Sequence, residues 1–156
     1  MDLENILRKL DKMFEENRID EVEPFLRAEV KEALESQRPD IAVSLLNEMM
    51  GFFRETSRWE KAYECIDAVL ELMDRMGLKD SVSYGISLVN AANAYRAGGE
   101  HEKSLEMYRK AEEIYKLNFR DDDGQYAAFY NNLSLLYQEM GDFKEAKESL
   151  YKSLDI

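Results

Sequence analysis

Residues 84–118 read YGISLVNAANAYRAGGEHEKSLEMYRKAEEIYKLN, and residues 126–156 read YAAFYNNLSLLYQEMGDFKEAKESLYKSLDI. With Tyr84 set over Tyr126, the two segments match in register: Asn90 on Asn132, Tyr95 on Tyr137, Gly99 on Gly141, Glu106 on Glu148, Lys110 on Lys152 and Ile114 on Ile156. The spacing is 42 residues throughout. Each copy runs large, apolar, small, Tyr, Gly, small, large. The first is Leu88, Ala91, Ala92, Tyr95, Gly99, Ser104, Tyr108 and the second Tyr130, Leu133, Ser134, Tyr137, Gly141, Ala146, Leu150. Three- and four-residue steps on either side of a glycine describe two helices separated by a tight turn.

The same pattern extends upstream. Leu46, Met49, Met50, Phe53, Ala62 and Ile66 stand one period before their counterparts, although Met50 is large for its slot. Asp40 is the expected cap of this third helix, and a fourth follows Ser57 with Trp59, Ala62, Ile66, Val69, Leu70 and Met73. Further upstream, Leu3, Ile6, Leu7, Leu10, Met13 and Phe14 lie on one face of a helix over about 2–16. After Asn17-Arg18, Val22, Phe25, Leu26, Val30 and Leu34 mark a second, with Pro24 tolerated in its first turn. Pro39 prevents that helix from continuing into the next. Gly77 is expected to end the fourth helix in the left-handed conformation, and Asp80 or Ser81 to cap the fifth.

These residue types at these spacings resemble the tetratricopeptide repeat, a helix-turn-helix unit whose common period is about 34 residues. The longer period here adds roughly one turn per helix. It is similar to the repeats of kinesin light chains and related adaptors, most closely over Asn131-Asn132-Leu133-Ser134-Leu135-Leu136-Tyr137 and Gly141. The resemblance implies an all-α, right-handed α-solenoid of about eight antiparallel helices in four hairpins. The chain reads as a single domain over 1–156, with a degenerate repeat at about 2–38 and further repeats at 40–77, 80–118 and 122–156.

Composition agrees with a helical globular chain: 45% of residues are hydrophobic and 35% charged, with two prolines in 156 residues. Thirty-three acidic against 21 basic residues leave a formal charge of -12, which repels nucleic acid and anionic membrane surfaces. That charge serves solubility; the other reading is an acidic docking surface for a basic partner. Charges interrupt the N-terminus every few residues, so neither a signal peptide nor a membrane span is expected, and a cytoplasmic location follows. Cys65, the single cysteine, sits among apolar helical positions and reads as a buried thiol.

Little in the chain points to chemistry. His101 occupies the slot of Trp59 and Phe143 in other repeats, where packing at the start of a helix is expected. One histidine and one cysteine cannot build a zinc shell. Asp121-Asp122-Asp123-Gly124 resembles the middle of a calcium loop, but Phe119 and Tyr130 fall where end ligands belong, so the aspartates read as caps of the seventh helix. No phosphate loop or nucleophile elbow is present. The expectation is a non-enzymatic protein with no cofactor and no metal.

The family resemblance implies a binding groove lined by the first helix of each pair. Its positions here are Ser44, Asn47, Glu48, Gly51, Arg54 and Glu55 in the third helix, and Ile86, Val89, Asn90, Asn93, Arg96 and Ala97 in the fifth. The seventh supplies Ala128, Asn131, Asn132, Leu135, Gln138 and Glu139. Asparagine is a poor helix-interior residue, and Asn90 and Asn132 recur at the period. A carboxamide both donates and accepts, so such a row can pair with the backbone of an extended peptide; alternatively, exposed asparagines carry no meaning at a cost of some tenths of a kcal/mol. The basic carboxylate clamp of some family members is not supported, since Asn47, Gly51, Ala128 and Asn132 stand at its positions.

The expected function is a protein- or peptide-binding scaffold, with a peptide-sensing regulatory module of a longer protein as the alternative. Leu150, Tyr151 and Leu154 leave the last helix apolar without a polar capping helix after it, which implies either a longer repeat protein or self-association through that helix. Trp59 is expected at the packed junction of the third and fourth helices, outside the groove.

Overall fold

The computed structural model describes residues 1–155; Ile156, and with it the match to Ile114, lies outside them. Among the described residues there are eight α-helices and no strand: α1 Leu3–Glu15, α2 Val22–Glu35, α3 Pro39–Glu55, α4 Trp59–Arg75, α5 Val82–Ala97, α6 His101–Asn118, α7 Gln125–Glu139 and α8 Phe143–Leu154. One 3-10 turn, Ile19–Glu21, precedes α2. The chain forms two compact units, Met1–Met76 and a second from Gly77 onward.

In the first unit, one face of each helix supplies the core. Ile6, Leu10 and Met13 come from α1, Val22 and Leu26 from α2, Leu45, Met49 and Phe53 from α3, and Ile66 and Val69 from α4, all buried. Cys65 is buried among them, and burial pushes its thiol up to about 11. α1 and α2 pack far less closely than α3 and α4. The first pair lacks the small residues that let helix backbones approach, whereas Ala62 is fully buried at the α3/α4 contact. An ion cluster joins α2 to the start of α4: Glu23 receives Arg58 and Lys61, each at 3.0 Å, and Arg27 of its own helix. The third helix begins one residue earlier than its expected cap. Pro39 is its first residue, Arg38 precedes it, and Asp40 sits in the first turn, held by Arg38 at 2.9 Å. Pro39 therefore opens α3, which fits its fixed φ and missing N–H.

In the second unit, small residues bring paired helices together. The buried Ser104 hydroxyl of α6 donates to the Ala92 carbonyl of α5 at 2.7 Å. At Gly85 the approach is closer still: a Cβ there would lie 3.0 Å from the Tyr115 ring. Aromatic side chains then join α6 to α7, with Tyr108 edge-on to Phe129 and Tyr115 against both Phe129 and Tyr126. The Ser153 hydroxyl of α8 donates to the Ala127 carbonyl of α7 at 2.8 Å. Two expected capping residues accept helix N–H groups, Ser81 from Tyr84 and Asp123 from Gln125, and Asp142 accepts the Glu145 N–H at the start of α8. Gly77, Gly99 and Gly141 take the left-handed conformation, at φ 76, 84 and 79°.

Candidate protein-binding face

None of the residues mapped onto the first helices of the hairpins is fully buried. In α5, Val89, Asn90, Asn93 and Arg96 are half-buried and Ile86 is exposed; in α7, Asn132 is half-buried while Asn131, Leu135 and Gln138 are exposed. In α3, Ser44, Asn47, Gly51 and Arg54 are half-buried and Glu48 and Glu55 exposed. The cause is the helical period: Leu45, Met49 and Phe53 face the core, which turns the Asn47, Gly51 and Arg54 stripe outward.

Several of these groups already have partners. Asn93 accepts a hydrogen bond from the Tyr108 hydroxyl of α6, so this carboxamide is tied into the hairpin. Burial holds the Tyr108 phenol above its ordinary range. Arg96 pairs with Glu139 of α7 at 2.9 Å, and Gln138 donates to the Ser134 hydroxyl one turn back at 3.2 Å. His101 lies 3.5 Å from the same Glu139. Asn90 and Asn132, by contrast, make no side-chain hydrogen bond among the described residues and lie on neighbouring helices of one unit.

In the first unit, Asn47, Glu48, Gly51 and Glu55 line an open hollow of about 290 Å³ with Leu10, Phe14, Leu26 and Phe52. The sequence reading does not foresee the contribution of α1 through Leu10 and Phe14. Phe14 is 41% exposed and leans on Phe52 with ring centroids 6.1 Å apart. Its exposure has no signature in the helical period, which places it with the core face.

The slot at the start of the second helices is not a core position. Phe143 is 70% exposed, and His101 and Trp59 are half-buried, because the first residue of a helix juts past the interface that its later turns form. Trp59 is therefore a partial packing residue instead of a buried junction. Leu150, Tyr151 and Leu154 are exposed along α8, as their positions imply.

No cluster of three or more His, Cys, Asp or Glu that could hold a metal ion occurs among the described residues. No helix among them is long and apolar enough to cross a membrane. What the surface offers is amide, carboxylate, guanidinium and aliphatic groups on the outer stripes of α3, α5 and α7.

These paired helices with small residues at their contacts define an all-α helical-repeat protein of the interaction type. Tetratricopeptide repeat profiles match residues 40–117 and 127–156, the first alone spanning half of the chain. The chain belongs to the tetratricopeptide repeat family, whose fold generally mediates protein–protein interaction, and its repeats are similar to those of kinesin light chains. Among solved structures, BtubC (BKLC) from P. vanneervenii shares the fold at TM-score 0.85 and 22% identity, over 98% of this chain and 61% of that one. A Podosopora anserina protein described as a putative kinesin light chain with nearly identical TPR-like repeats matches at TM-score 0.79 and 18% identity, over 98% of this chain and 74% of that one. A point variant of that protein matches at TM-score 0.80 and 17% identity, with 98% and 73% covered. No curated protein matches the chain in sequence.

Proposed function

We propose that this protein is a non-enzymatic cytoplasmic scaffold that holds an extended segment of a partner protein against the first helices of its hairpins. The carboxamides of Asn90 and Asn132 would pair with the partner backbone. The observation that carries this reading is their state: both are half-buried at repeat-equivalent positions, with no hydrogen bond inside the molecule among the described residues. Polar groups so placed favour a ligand that supplies N–H and C=O groups. Arg96 and Gln138, already bonded to Glu139 and Ser134, would frame the segment, while Val89, Asn131 and Leu135 would contact its side chains. The single buried Cys65 fits a reducing compartment.

Crosslinking and mass spectrometry would identify the partner segment, and its affinity would then be measured against Asn90→Ala, Asn132→Ala and the double variant. Each hydrogen bond contributes around 1 kcal/mol net, more where truncation strands a ligand amide, so each single variant should bind roughly five- to thirty-fold more weakly. Melting temperature should barely change, since alanine is the better helix former. Unaltered affinity in the double variant would remove the asparagines from the binding site.

A further inference from the structure

We infer that the hollow between α1 and α3 takes an arginine- or lysine-bearing extended segment of a partner protein, its backbone passing over Gly51. The inference rests on the reading of the first-helix face as a protein-binding surface, and it names the chemistry that one hairpin selects.

Gly51 lies inside α3, in ordinary helical conformation, four residues before the last residue of the helix, Glu55. Alanine is the better helix former at such a position. Neither usual reason for a helical glycine applies. Gly51 forms no turn, and a Cβ built on it would meet nothing within 4 Å, whereas at Gly85 the Tyr115 ring fills that space. The missing side chain leaves bare backbone at the floor of a hollow, where another backbone can approach closely.

The charge of the lining points to what approaches. Glu48 and Glu55 lie about one turn to either side of Gly51 and are the charged members of the lining. Both are exposed, and neither forms an ion pair among the described residues. Repeat register makes this arrangement particular to the first unit. The counterparts of Glu48 are Asn90 and Asn132, that of Gly51 in α5 is Asn93, and that of Glu55 in α7 is Glu139, which Arg96 already neutralises. Beside the two free carboxylates, the half-exposed Phe14 ring offers a face on which a guanidinium or ammonium can rest. Asn47, on the same wall, can pair with the backbone of the segment. A formal charge of -12 would draw a cationic partner to the protein as a whole, and the two carboxylates mark this hollow.

The test uses the full chain and two labelled peptides on one Gly-Ser-Leu frame, one carrying a pair of arginines and the other glutamates at the same places. Binding is followed by anisotropy and mapped on the backbone amide resonances. The arginine peptide should saturate and shift the amides of Asn47, Glu48, Gly51 and Phe52, while the glutamate peptide should not. Glu48→Gln with Glu55→Gln should weaken it by roughly ten-fold or more, since two charge-assisted contacts are lost. Gly51→Ala should raise the melting temperature and yet weaken binding, opposite signs that a merely structural glycine would not produce. Equal binding of the two peptides, or full affinity in Gly51→Ala, would overturn the inference. Arginine-peptide shifts confined to Asn90 and Asn132 would also overturn it, while leaving the proposed binding face standing.

Discussion

Among the described residues, five helix ends close in the same way, and two of them use glycine. At Asn17, Gln37, Ser57, Gly99 and Gly141 the N–H donates to the carbonyl three residues back, and the next N–H to the carbonyl five back. Each closing residue is left-handed, and φ is 56, 57 and 57° at Asn17, Gln37 and Ser57. For an L-residue that conformation costs roughly 1–2 kcal/mol. Glycine avoids the cost but gives back about 0.5–1 kcal/mol in the greater freedom of its unfolded chain. Ser57→Gly should therefore stabilise by about 0.5–1 kcal/mol, a rise of roughly 1–4 °C in melting temperature for a chain of this size. Asn17→Gly should do less, because asparagine tolerates the left-handed region. In the reverse direction, Gly99→Ser and Gly141→Ser should each lose a similar amount by backbone strain alone, since a Cβ at either position meets nothing within 4 Å. Far-UV circular dichroism during thermal and urea unfolding would measure both directions, with the urea slope unchanged if only the folded turn is affected. A lower melting temperature for Ser57→Gly, together with a neutral Gly99→Ser, would refute the assignment of these costs to the backbone.

Gly85→Ala should destabilise by about 1–3 kcal/mol despite the better helix propensity of alanine, because a Cβ 3.0 Å from the Tyr115 ring makes that ring give way while it is packed against Tyr126 and Phe129; thermal unfolding reads it out. Glu23 is held below the ordinary carboxylate range, chiefly by its hydrogen bond from Lys61. A depressed folded-state pKa gives stability that is present above the unfolded value and is lost as pH falls through the folded one. Glu23→Gln should therefore cost about 1 kcal/mol near neutral pH, the scale of a partly exposed ion cluster. The difference from the parent should vanish in acid, as measured by urea unfolding across a pH series.

The repeat period, the number and order of the helices and the positions of their turns follow from the sequence by itself. Such features depend on nearest neighbours: a left-handed residue at Gly99 or Gly141, a cap at Ser81, apolar residues at helical steps. The stripes of α3, α5 and α7 follow from the resemblance to the repeat family, and the helical period agrees in keeping them off the core face. Which outward groups are already committed is another matter. The bond from Tyr108 to Asn93, the pairing of Arg96 with Glu139 and the exposure of Phe143 and Phe14 depend on the angle and depth at which helices distant in sequence meet. Two asparagines three residues apart on α5 look equivalent in the sequence. Only the tertiary structure ties Asn93 to α6 and leaves Asn90 open, because the distance from each carboxamide to a facing hydroxyl is set by the packing of the hairpin and by no local preference of the chain.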